Sequence, residues 1–243
     1  MILTAHQPAY LPWLGFFHKL LISDIAVILD NVQFQKDYFI NRNKIRINNG
    51  DAWLTVPVLT SGHIDKTMIE MKINNNINWY KKHKKSINIF YKKAPYFSNY
   101  YDYFEKLYDK NWIYLTDLLK ETMSFFFKEL NIETKIYYQS KLGFKKKKQD
   151  LILEMCEYFD SDIFVFGKDG RKYADQDYFK LNKRNIYFQD YIHPTYPQLY
   201  GDFIPYLSVL DLLFNVGSEK ALEIIMKGNI TKNELKSKFQ LKQ

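Results

Sequence analysis

The sequence predicts an α/β fold, a mainly parallel sheet flanked by helices, and three observations predict it. The chain opens as strand, loop, helix, strand. A second alternation, βαβαβ, fills residues 134–188. Between the two lie a β-hairpin insertion and a helical middle. The whole reads as one domain over residues 1–243, with 43–73 a β-rich insertion and 79–130 a helical subdomain, a length that buries most of its apolar surface without a metal or disulfide.

Met1–Thr4 is a short strand leading into a Pro-bearing loop, Leu14–Leu21 is helical, and Asp24-Ile25-Ala26-Val27-Ile28-Leu29-Asp30 is a second strand. That run is continuously apolar and ends in an acid, as expected of a parallel strand covered on both faces. Its sequel, Asp30, Asn31 and Gln33, falls where open α/β sheets bind ligands. Asn43–Ile47 and Trp53–Val58 flank Asn48-Asn49-Gly50, a strong hairpin signal, and Ile69–Ile73 is expected to add a third antiparallel strand. From Trp79 to about Leu130 apolar and aromatic residues recur at helical spacing, with breaks at Pro95 and Asn111-Trp112, which gives three helices. Thr134–Tyr138, Ile163–Phe166 and Ile186–Phe188 then read as strands, with helices over Gln149–Phe159 and Asp175–Leu181. The apolar run from Ser208, its N-cap, stops at Asn215-Val216-Gly217 and holds Asp211, a carboxylate that needs a His, Tyr or N-cap donor because unpaired burial is costly. Lys227–Gln243 is polar, a surface helix or a frayed tail.

One cysteine, Cys156, excludes a disulfide framework; it sits in an apolar helix and reads as core. With no leader-like start and no apolar run of about 20 residues, the expectation is a cytoplasmic protein without a transmembrane segment. The net charge of +8 gathers in Lys81-Lys82-His83-Lys84-Lys85 and Lys145-Lys146-Lys147-Lys148. Such runs are usually solvated faces, and nucleic-acid binding through them would weaken steeply with salt. The five histidines are scattered without ligand spacing, so no metal is expected.

Chemistry-bearing residues concentrate at the two ends of the chain, in His6-Gln7-Pro8-Ala9-Tyr10-Leu11-Pro12-Trp13 and His193-Pro194-Thr195-Tyr196-Pro197-Gln198. Each segment sets a His, a Tyr and a Gln among prolines, which hold the backbone stiff and non-helical. In one domain both ends can share one site. Gly167-Lys168-Asp169-Gly170 adds a loop at a strand's carboxyl end, a place where anions are held, without Walker or dinucleotide spacing.

These segments, with Asp30-Asn31-Val32-Gln33-Phe34, Asn41-Arg42-Asn43, Trp53-Leu54-Thr55-Val56-Pro57 and the block from His193 through Phe203, Pro205, Ser208, Asp211 and Asn215 to Gly217, carry a resemblance over nearly the whole chain. The chain resembles the WbqC-like protein family, often encoded among bacterial surface-polysaccharide genes, some members of which are described as glycine or aminoacyl transferases to amino sugars. A looser likeness is to adenylate-forming nucleotidyltransferases such as pantothenate synthetase, although the spaced His pair of their nucleotide loop is absent: His6 and His18 stand too far apart.

The resemblance implies a transferase that forms an amide on an amino-sugar nucleotide, its donor an amino acid with ATP, an aminoacyl-tRNA or an acyl-CoA. Such a reaction needs a base for the amine proton and donors for the developing oxyanion. His193 is the expected base, oriented by Asp211 or Asp30, with His6 as the alternative. Arg42 and Lys168 are candidate phosphate or carboxylate contacts, and Gln7, Tyr10, Gln33, Tyr196 and Gln198 are candidate hydrogen-bonding residues for the substrate. Arg42 has a structural alternative in a pair with Asp30 or Asp37. The rival function is a non-catalytic protein that binds a sugar nucleotide or acyl carrier within a glycosylation complex.

Overall fold

The structure, a computed structural model, describes residues 1–36, 38–62 and 65–240. Five parallel strands form the central sheet: β1 (Ile2–His6), β2 (Ile25–Ile28), β5 (Lys135–Tyr138), β6 (Ile163–Gly167) and β7 (Asn185–Gln189), in the order β5-β2-β1-β6-β7. The order reverses direction between β1 and β6, and at such a switch point the loops leaving neighbouring strands diverge and open a crevice at the carboxyl edge.

The strands are apolar because both faces are covered. In β2, Ala26 and Ile28 join the larger core, which contains α1 (Leu14–Leu21) and α7 (Val209–Met226). Ile25 and Val27 join the second core, under α5 (Lys148–Tyr158) and α6 (Gln176–Leu181). The larger core continues into the helical middle, α2 (Trp79–Tyr91), α3 (Phe97–Asp109) and α4 (Leu115–Glu129), the three helices and two breaks that the spacing predicts. A short α8 (Lys232–Lys238) buries Leu235 against Ile2, Ile22, Ile163 and Val165, and starts with a capping box in which Glu234 closes on Thr231. Residues 241–243 of the expected tail lie outside the described residues. Among the described residues no helix is long and apolar enough to cross a membrane.

The hairpin is β3 (Arg42–Ile47) and β4 (Gly50–Thr55), with Ile47 opposite Gly50 across a two-residue turn; Gly50 takes φ +115°, a backbone state that suits glycine. The expected third strand at Ile69–Ile73 is not formed. Thr67 and Glu70 instead make a capping box that opens a 3-10 turn over Met68–Glu70, and this segment reaches its neighbours through isolated bridges, Gln33 with Thr67 and Val58 with Ile73. Ser208 caps α7 as the sequence implies, its Oγ accepting from Leu210 N at 3.1 Å. The expected stop at Gly217 is a kink: Gly217 leaves helical dihedrals at φ +77°, and the helix resumes through Met226.

Candidate functional site

His6 ends β1 at the switch point. The loop beyond it is pinned by its backbone: Tyr10 N donates to Ile40 O, Asn43 Nδ2 donates to Leu11 O at 2.6 Å, and Val209 N donates to Pro12 O. Leu11 sits in the left-handed region at φ +46°, and the Asn43 amide holds it there. Asn41 likewise serves the backbone, donating to Val56 O.

The half-buried His6 ring donates from Nδ1 to Gln7 O at 2.8 Å, which leaves Nε2 as the basic nitrogen. Burial first, and then the ammonium of Lys19, pushes its pKa down to about 3, so the ring is neutral. It lies edge-on to Phe16 and Trp13 at 5.1 and 5.4 Å. From Trp13 a row of rings runs outward, Phe39 at 5.2 Å and then Trp53 at 5.7 Å, with the Arg42 guanidinium 4.6 Å over Trp53. Phe39 and Trp53 are exposed. An aromatic wall thus leads from a neutral imidazole to a cationic rim, a surface suited to stacking a sugar face or a base.

Lys19 is 3% exposed and donates from Nζ to Ala5 O at 2.9 Å. Burial lowers its pKa to about 7. Sequence reasoning passed over this residue, although a lysine within Leu14-Gly15-Phe16-Phe17-His18-Lys19-Leu20-Leu21 is the same signal that singled out Asp211. His18 beside it is fixed, accepting at Nδ1 from Gln189 Nε2 at 2.7 Å and donating from Nε2 to Ile230 O, and burial lowers its pKa to about 4.

Across the crevice β6 ends in Gly167. A Cβ there would meet nothing within 4 Å. Gly170, in contrast, packs so closely on Phe166 that a Cβ would stand 2.6 Å from its Cβ, so that glycine is a packing requirement. Lys168 is exposed beside Asp190, whose carboxylate is paired through both oxygens with Arg171.

The expected carboxylate for His193 is absent from its side. His193 donates from Nδ1 to Pro194 O, and its buried Nε2 finds no partner among the described residues; Tyr196, Phe203 and Tyr206 surround the ring, and burial lowers its pKa. Asp211 is bonded to other groups. Tyr91 Oη donates to its Oδ1 at 2.8 Å, and Tyr196 Oη and Gln198 Nε2 donate to its Oδ2 at 2.9 Å. Of the His, Tyr or N-cap donor expected for this buried acid, tyrosine is the one found, twice over and joined by Gln198, and burial pushes its pKa up to about 6 against those hydrogen bonds. Asp30 is equally occupied, accepting from Ser140 N and Oγ and pairing with Lys120 at 3.1 Å, a clamp between the ends of β2 and β5. Tyr10 is a core residue, its hydroxyl bonded to His83 Nδ1 and Tyr108. The partner suggested for Arg42 at Asp37 lies outside the described residues. Gln33 bridges to Thr67 through its backbone at the carboxyl side of β2, and Gln7 follows His6, half-buried. Among the described residues no hydrogen bond or ring contact joins His6 to His193.

Lys146, Lys147 and Lys148 line an open cavity of about 750 Å³ with Tyr173 at the start of α5. In the other run, Lys84 pairs with Glu105 and Asp109.

Residues 7–223 match the model of a family described as WbqC-like protein family. A protein of Mycobacterium tuberculosis (strain ATCC 25618 / H37Rv), "Uncharacterized protein Rv1507c", is 30% identical over 215 residues, which cover 88% of this chain and 93% of that protein. No solved structure matches.

Proposed function

Because the chain belongs to the WbqC-like protein family, we propose that it is a transferase forming an amide on an amino-sugar nucleotide, by aminoacyl or acyl transfer, in bacterial surface-polysaccharide biosynthesis. The observation that carries this reading is the neutral His6 at the carboxyl edge of the sheet, with Nε2 as its basic nitrogen and an exposed aromatic wall leading to it. The pyranose or base stacks on Phe39 and Trp53, and its phosphates meet the Arg42 end of the wall. The sugar amine attacks the donor's acyl carbon, His6 Nε2 takes the amine proton, and the leaving group departs as the tetrahedral intermediate collapses. His6 thus takes the role first given to His193, since neither Asp30 nor Asp211 reaches His193. Lysines at the start of α5 offer a phosphate-bearing donor a second contact.

The depth of the His6 shift, to about 3, favours a second reading, a protein that binds the sugar nucleotide without turnover. Mass spectrometry separates the two. The purified protein is incubated with nucleotide-linked amino sugars and, in turn, an amino acid with ATP, an aminoacyl-tRNA or an acyl-CoA. A mass gain on the sugar nucleotide is expected. Binding without a gain in any mixture would establish the second reading.

A further inference from the structure

Side chains alternate faces along a strand, so Ile2, Thr4 and His6 of β1 share a face. The pairing of β1 with β6 matches Ile2 with Ile163 and Thr4 with Val165, then stops. Continued by two residues, it sets His6 level with Gly167, and β7 sets Gln189 level with Gly167 on the other side. The face is the one covered by α1, since Gln189 Nε2 donates to Gly15 O at 3.0 Å. The top row of that face therefore reads His6, a missing side chain, Gln189. The gap is genuine, because a Cβ on Gly167 meets nothing within 4 Å and its backbone needs no glycine, with φ −71°.

Lys19 closes the same gap from α1. His6 O accepts from Leu29 N toward β2, so the preceding carbonyl, Ala5 O, points toward β6. There it meets Lys19 Nζ at 2.9 Å, where the ladder has parted. Ala5 O is the acceptor Lys19 finds among the described residues, and two of its three N–H donors remain. No carboxylate among those residues pairs with it. A buried ammonium without a counter-charge is a standing cost to the fold.

We propose that the notch over Gly167, bounded by His6, Lys19 and Gln189, is an anion subsite that takes a carboxylate or phosphate oxyanion of the substrate against the Lys19 ammonium. The subsite rests on the placement of the reaction at this edge, and it gives that placement a switch: Lys19 is one cause of the weak basicity of His6, so an anion that neutralises Lys19 makes Nε2 a better base at the moment substrate is in place.

Titration calorimetry with inorganic phosphate, pyrophosphate, acetate and glycine tests this on the wild type, Lys19→Met and Gly167→Val. The wild type is expected to bind one oxyanion. A response confined to the phosphates assigns the group to a nucleotide or phosphoryl donor, and one confined to acetate and glycine assigns it to a carboxylate donor. Lys19→Met is expected to weaken that binding roughly 10- to 100-fold, the loss of one charge-assisted hydrogen bond. Gly167→Val, whose side chain enters open space, is expected to keep the wild-type melting temperature and lose the anion. Anion binding unchanged in either variant, or no oxyanion bound by the wild type, would overturn the proposal. Anion binding without amide formation would sink the transferase and leave the subsite standing. Amide formation with a wild-type KM in both variants would do the reverse.

Discussion

Replacing Asp211 by Ala removes the acceptor shared by two buried donors, the hydroxyls of Tyr91 and Tyr196, and by the half-buried Gln198 amide, which keeps Ile204 O as a partner; together these bonds tie α2 and the His193 loop to α7. Each of the two buried hydroxyls left without an acceptor costs about 1 kcal/mol or more, so the loss approaches roughly 2–3 kcal/mol where the acid is neutral. The wild-type carboxyl also carries a cost of its own. Its pKa moves from 3.8 to about 6 in the fold, which at about 1.4 kcal/mol per unit is roughly 3 kcal/mol. An acid with a raised folded pKa binds its proton more tightly in the native state, so its stabilisation is full below pH 3.8 and is lost as pH rises through about 6. Asp211→Ala has no such loss. The stability gap between wild type and variant, read from urea midpoints at equal slope, should therefore narrow by roughly 2.5 kcal/mol between pH 4 and pH 7.5. A gap that stays constant or widens would refute the assignment of Asp211 as a buried acid held by neutral donors.

Lys19 has the opposite linkage. Its pKa falls from 10.5 to about 7 on folding, so wild-type stability is reduced below pH 7 and recovers as pH rises toward 10.5. Lys19→Met should raise the urea midpoint at pH 6, by about 2–4 kcal/mol of stability, with an advantage that fades through that window; a variant less stable at pH 6 would contradict it. Gly217→Ala places a Cβ 2.7 Å from Tyr96 Cε1 at φ +77°. It should cost about 2–3 kcal/mol in a thermal melt, and a wild-type melting temperature would show that the kink tolerates a side chain. Cys156 is fully buried with its thiol pushed up to about 11. Iodoacetamide at pH 7.5 should label it far more slowly in the native protein than in urea, by intact mass, and equal rates would show that α5 opens readily.

Local pattern made most of the fold readable. The apolar run Ile25–Ile28 announces a strand covered on both faces, Asn48-Asn49-Gly50 a hairpin, and Ser208 a helix start; all three are settled by neighbours in sequence. Ile69–Ile73 misled because its apolar residues alternate like a strand while Thr67 and Glu70, read together, form a capping box. The order of the sheet is a tertiary outcome, and with it went the position of the proposed site. β1 and β6 become neighbours across 156 intervening residues, and no spacing within either segment says so. Asp211 was legible as an acid in need of a partner. That the partner would be Tyr91, from α2, and not His193 depends on how the helical middle packs on α7. Lys19 was legible by the same rule and carried the same message.

The placement of the chemistry is tested most directly by comparing His6→Ala with His193→Ala for turnover and for sugar-nucleotide affinity in parallel, once a donor is identified. Loss of turnover of at least about 100-fold in His6→Ala, the usual contribution of a general base, with affinity retained and with His193→Ala still active, is the expected result. Full turnover in His6→Ala, with its loss in His193→Ala, would move the reaction to the His193 loop and contradict the site at the carboxyl edge of β1.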